Sequence, residues 1–159
     1  MTELRPPNMR RTRWNDLVAV VVVLAVLGWL LVHTAYSSLP PLSYAVPIPI
    51  VALAVAEFVA SRRVRAAVRH EPHARPMAAI VIARCVALGK ASSVVGAGVL
   101  GAAIGMLVEL LPDAGTIRAA GHDVDVCIVL AAGAILLTAA GLLLERAGVD
   151  PASGRHDDR

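Results

Sequence analysis

From Leu17 to Ala56 the chain has no aspartate, glutamate, lysine or arginine. No buried element of a soluble domain runs that long, because a membrane-crossing helix itself needs only about 20 apolar residues. One helix cannot hold the stretch either. Pro40, Pro41, Pro47 and Pro49 interrupt it, and each proline removes a backbone donor and clashes with the preceding turn. The composition agrees, with 57% hydrophobic and 17% charged residues against about 45–50% and about 25% in soluble domains. Such a balance excludes a disordered chain, and two cysteines exclude a disulfide scaffold.

The pattern predicts an all-α integral membrane four-helix bundle, with one domain over 1–147 and a disordered tail over 148–159. Spans are expected at about 17–36, 44–62, 90–109 and 125–145. Pro47 and Pro49 fit the second span because they fall in its first turn, where backbone N–H groups have no partner anyway. The run Met77–Leu111 is too long for one span and too short for two, so 77–89 is read as an interfacial helix or an extension of the third span. Three pairs of end markers, Asp16 with Tyr36, Lys90 with Glu109 and Asp125 with Glu145, each give about 28–30 Å of helix. That is about the thickness of the hydrocarbon core. Arginines before an apolar run also suggest a signal peptide, but the apolar segment exceeds the usual 7–15 residues, so an uncleaved anchor is expected.

Orientation is set by the basic residues. Fourteen of the fifteen fall in the N-terminal segment, the central loop or the tail, and only Arg118 falls on the other side. This bias predicts a multi-pass protein of the cytoplasmic membrane with both termini inside.

Helices in lipid gain little from apolar burial against each other, so close backbone approach matters more. Ser93, Ala97, Gly101 and Gly105 form a small-residue stripe suited to such an approach. It is read first as packing within the bundle and second as a dimer face.

Glu57 is the one carboxylate inside a predicted span, about 7 Å from its cytoplasmic end. An acid at that depth needs a partner. Arg62 lies about 140° around the helix, so Lys90 is the expected ion-pair partner, with Arg84 as substitute. A structural pair is the preferred role, and a proton or cation pathway is the alternative. Arg62, Arg63, Arg65 and Arg69 are expected to contact anionic lipid at the cytoplasmic face. No aromatic residues interleave these charges, which argues against nucleic acid. His33 is expected to meet water or headgroups. His122, Asp123, Asp125 and Asp113 lack ligand spacing and are read as a solvated loop, with no metal or cofactor expected. Cys85 and Cys127 are expected at opposite faces. No catalytic motif is present, so no enzymatic activity is expected.

A basic start before Trp14, the Leu39-Pro40-Pro41-Leu42 hinge, Ala83-Arg84 leading to Lys90-Ala91-Ser92, and a closing Leu144-Glu145-Arg146 resemble one family. It is the small bacterial membrane proteins of domain of unknown function (DUF) family 3180. The resemblance implies a four-helix membrane protein with no established activity and no catalytic residues to carry over. The combined expectation is a non-enzymatic structural, partner-binding or accessory membrane component, alone or as a homo-oligomer. The alternative is a small transporter or ion-pathway subunit using Glu57 with Lys90.

Overall fold

The computed structural model describes residues 14–35, 42–69 and 76–148. Among these there are four α-helices: α1 (Trp14–Ala35), α2 (Pro47–Val68), α3 (Ala79–Leu110) and α4 (Arg118–Ala147). A short 3-10 turn, Leu111–Asp113, comes directly after α3. The expected tail lies outside the described residues apart from its first residue, Gly148.

Long runs of Ala, Val and Leu favour helix where the backbone must satisfy its own hydrogen bonds. α2 starts on Pro47, preceded by a turn in which the Val46 amide donates to the Ser43 carbonyl at 3.0 Å. The two prolines therefore occupy the first turn as expected. Residues 79–89 are continuous with the rest of α3, so this segment is the extension and not a separate interfacial helix. At 32 residues α3 is about 48 Å long. α4 begins at Arg118, seven residues before the predicted start of its span, and takes in His122 and Asp123.

Helices α1 and α4, and α3 together with its 3-10 turn, are long and apolar enough to cross a membrane. α2 is as long as α1 but carries Glu57, Arg62, Arg63 and Arg65.

The helices pack in the order α1, α3, α4, α2, with a narrow contact between α2 and α3 and no close backbone approach of α1 to α2 or α4. This is an open row, not a closed bundle. The helices adjacent in sequence, α1 and α2, stand at its two edges.

Opposite faces of α3 make the row possible. A Cβ at Gly101 would meet the backbone of Val21, and one at Gly105 the backbone of Ala25 and Trp29, so α1 lies directly on these glycines. On the α4 side, a Cβ at Gly89 would sit 2.6 Å from the Gly141 carbonyl oxygen, and one at Gly141 would sit 2.8 Å from the Ser93 nitrogen. A four-residue repeat rotates by about 40° per step around a helix. The stripe therefore starts with Ser93 on the α4 face and finishes with Gly105 on the α1 face. Larger side chains close the two ends. Val32, Leu110, Ala120 and Val124 cluster at one end, and Val64, Leu144 and Ala147 at the other.

Candidate functional site

The buried face of α2 is a stripe of Ala54, Glu57, Ser61 and Val64, repeating at three and four residues as a single helix face does. Three of these positions are small or polar. α2 can therefore lie close to α4, with Glu57 directed inward at 2% exposure. Opposite stands Ser92 of α3, also buried, while its neighbour Ser93 packs against Gly141 of α4. The result is a buried polar patch of Glu57, Ser61 and Ser92 where α2 and α3 meet.

The hydroxyls nearby are largely committed to their own helices. Ser61 donates to the Phe58 carbonyl at 2.7 Å, and Ser93 to the Lys90 carbonyl at 2.9 Å. Such back-bonding is the usual way a serine is satisfied inside a helix. Ser92 is the polar side chain that interacts with the Glu57 carboxyl, but neither carboxylate oxygen has a hydrogen-bond partner among the described residues.

The expected ion pair of Glu57 with Lys90 or Arg84 is thus not formed. Geometry explains the difference. The face of α3 that reaches Glu57 carries Ser92, and Lys90 projects about 200° away around the same helix. Arg84 is about 12 Å further along the axis. Both basic residues are exposed. Ser92 had a faint signal in the sequence, a serine pair in an apolar helix, but nothing there indicated which of its neighbours would face α2.

An interhelical side-chain pair does form at the opposite end. His33 Nδ1 lies 2.9 Å from Glu109 Oε1, and the His33 ring stacks on Trp29 with centroids 5.2 Å apart. His33 thus bonds to α3 while its side chain remains 57% exposed, at a position open to the water or headgroups expected from the sequence.

The segment before α2 is held by α4. The Leu42 amide donates to Asp123 Oδ1 at 2.9 Å, and His122 Nε2 lies 2.9 Å from the Leu42 carbonyl oxygen. Tyr44 meets the His122 ring edge-on at 4.8 Å. Asp123 is buried, so the expectation of a solvated loop at His122 and Asp123 is corrected. The two residues occupy the first turns of α4 and anchor the chain entering α2. Sequence reasoning missed this clamp because Leu42 and Asp123 lie 81 residues apart. No group of three or more His, Cys, Asp or Glu that could hold a metal ion occurs among the described residues.

Ser93, Ala97, Gly101 and Gly105 are all buried within the row. Arg62, Arg63, Arg65 and Arg69 are exposed at the C-terminal end of α2, and the Arg62 guanidinium lies over the Phe58 ring at 4.8 Å. Cys85 is half-buried and Cys127 is fully buried, and neither is in a disulfide.

A family model described as protein of unknown function (DUF3180) matches residues 17–151. The chain belongs to this family. No curated protein and no solved structure matches it. The matched stretch of this DUF3180 chain contains Glu57 and its serines, both small-residue faces of α3, and the clamp on Leu42.

Proposed function

We propose that this DUF3180 protein is a four-span component of the cytoplasmic membrane that acts without catalysis, as a structural, partner-binding or accessory subunit. The observation that carries this reading is the open row of helices. Its glycine faces are spent on internal contacts, while apolar side chains such as Val22, Val26, Leu30, Ile128 and Ile135 point outward. An apolar surface of this extent requires lipid or a membrane partner to cover it. The direction of the helices supports α2 as the fourth span, since α2 runs parallel to α4 from Ile50 at Gly133 to Val64 at Leu144, as an up-down-up-down order along the chain requires. The basic bias supports cytoplasmic termini and a cytoplasmic loop between α2 and α3.

The test is cross-linking in native membranes followed by purification. A defined homo-oligomer or stoichiometric membrane partner is the expected result. A strictly monomeric protein with no cross-linked neighbour would sink the partner-binding reading.

A second reading, an ion-pathway subunit, is favoured by Glu57. A buried acid without a protein partner is costly, and inside membranes such residues commonly mark ion or proton routes. In this version Ser92, not Lys90, is the companion group. Proteoliposome flux that disappears in a folded Glu57→Gln variant would support it. Absence of flux in the unmodified protein would end it.

A further inference from the structure

Between α2 and α4 lies a groove of about 340 Å³, walled by Val55 and Phe58 on one side and by Leu136, Ala139 and Leu143 on the other. That volume falls within the range of small-molecule sites, about 300–1,000 Å³. Its wall is apolar throughout, and Glu57 is not part of it because that side chain leaves α2 on the face towards α3. Val55, Phe58, Leu136 and Ala139 are exposed, so the groove opens sideways out of the row.

The groove changes character at one end. On α2, Val55, Phe58, Arg62 and Arg65 recur at three and four residues and so share one face. On α4, Leu136, Ala139, Leu143 and Arg146 do the same. Both apolar walls therefore run into arginines at the C-terminal ends of their helices. The Arg62 guanidinium stands over the Phe58 ring at 4.8 Å, directly at the groove's edge. Arg62, Arg65 and Arg146 are all exposed.

We propose that this groove is a binding site for one anionic phospholipid, with an acyl chain along Val55, Phe58, Leu136 and Ala139 and the phosphate held by Arg62 and Arg146. The inference rests on the reading of the chain as a membrane protein, and it replaces a general attraction of basic residues to the bilayer with one site. Charge complementarity selects the occupant. An apolar slot ending in arginines from two helices matches a molecule with an apolar tail and an anionic head, and guanidinium forks bind phosphate oxygens in pairs. A partner helix would fill the slot but leave the arginines without an anion.

The full chain, purified in mild detergent, is incubated with equal amounts of long-chain phosphatidylglycerol and phosphatidylcholine, and bound lipid is read by native mass spectrometry. One phosphatidylglycerol per chain is expected, retained at least tenfold over phosphatidylcholine and not displaced by inorganic phosphate. Arg62→Gln with Arg146→Gln removes the headgroup preference. Ala139→Phe, at an exposed position that fills the slot without entering the core, removes lipid retention. Arg118→Gln, at the far end of α4, leaves retention unchanged. Equal retention of the two lipids, retention that survives Ala139→Phe, or a lipid-free dimer that Ala139→Phe abolishes would each overturn the proposal. Carbonate extraction of the membranes separates the two levels. A protein that stays in the membrane but retains no lipid refutes only the site, and one that is released refutes the membrane reading as well.

Discussion

Replacement of Glu57 by an apolar residue should not destabilise this protein. In most folded chains, removing one partner of a buried ion pair costs about 3–5 kcal/mol, because the other charge is left buried and alone. Here the Glu57 side chain is 2% exposed, neither of its oxygens has a hydrogen-bond partner among the described residues, and no basic group is stranded by its loss. The unsatisfied acceptor is itself the cost, about 1–3 kcal/mol for a buried polar group and more for a charged one. Glu57→Met keeps the length and removes the acceptor, so it should be neutral or stabilising by about 1–3 kcal/mol. Glu57→Gln keeps a polar group and should fall between Met and the native residue. The assay is thermal and denaturant unfolding of the purified chain in one detergent, monitored by intrinsic fluorescence and helicity. Glu57→Met and the near-isosteric Glu57→Gln both destabilised by more than about 1 kcal/mol would refute the reasoning, since a misfit of the methionine would spare the glutamine variant.

Gly101→Leu and Gly105→Leu should force α1 off α3 and lower stability by about 1–3 kcal/mol or more, as overpacking does, whereas Gly115→Ala, where a Cβ meets nothing within 4 Å, should change it by less than about 0.5 kcal/mol. Unfolding midpoints in detergent compare the three. Asp123→Ala leaves the Leu42 amide without its acceptor and should cost about 1–3 kcal/mol, with faster proteolysis in the segment before α2 as the local readout. His33→Ala and Glu109→Gln should couple by less than about 1 kcal/mol in a double-mutant cycle, because the pair is solvent-exposed. In the folded protein a maleimide should modify Cys85 but not the fully buried Cys127. Orientation is therefore better read from Asp125→Cys, at an exposed position, which an impermeant reagent should label from outside the cell.

Hydropathy and backbone chemistry act locally, and whatever depends on them alone was legible in the sequence. Proline removes a donor wherever it stands, so Pro47 and Pro49 had to lie in a first turn, and the expected start near 44 fell three residues before the observed one at Pro47. The apolar runs needed helices to satisfy their own backbone groups, which set four helices and most of their ends. Small residues spaced by four marked α3 as the element others approach closely. The choice of neighbour was not in the sequence. Adjacent helices usually pack together, yet α1 and α2 stand at opposite edges of the row. The rotation of the small-residue stripe gives α3 two faces, one taken by α1 and the other by α4.

That arrangement determined the chemistry. With α4 between them along most of their length, α2 and α3 meet only narrowly, and the residue that faces Glu57 is Ser92 instead of Lys90. The carboxyl could be found in the sequence because any acid in an apolar run is conspicuous. Its surroundings could not, because they depend on the rotation of three helices about their axes. The same holds for Asp123, which looked like a loop acid until the fold brought Leu42 to it across 81 residues. Periodicity is a local property and determined the helices; contact is a property of the whole chain, and only the tertiary structure decided it.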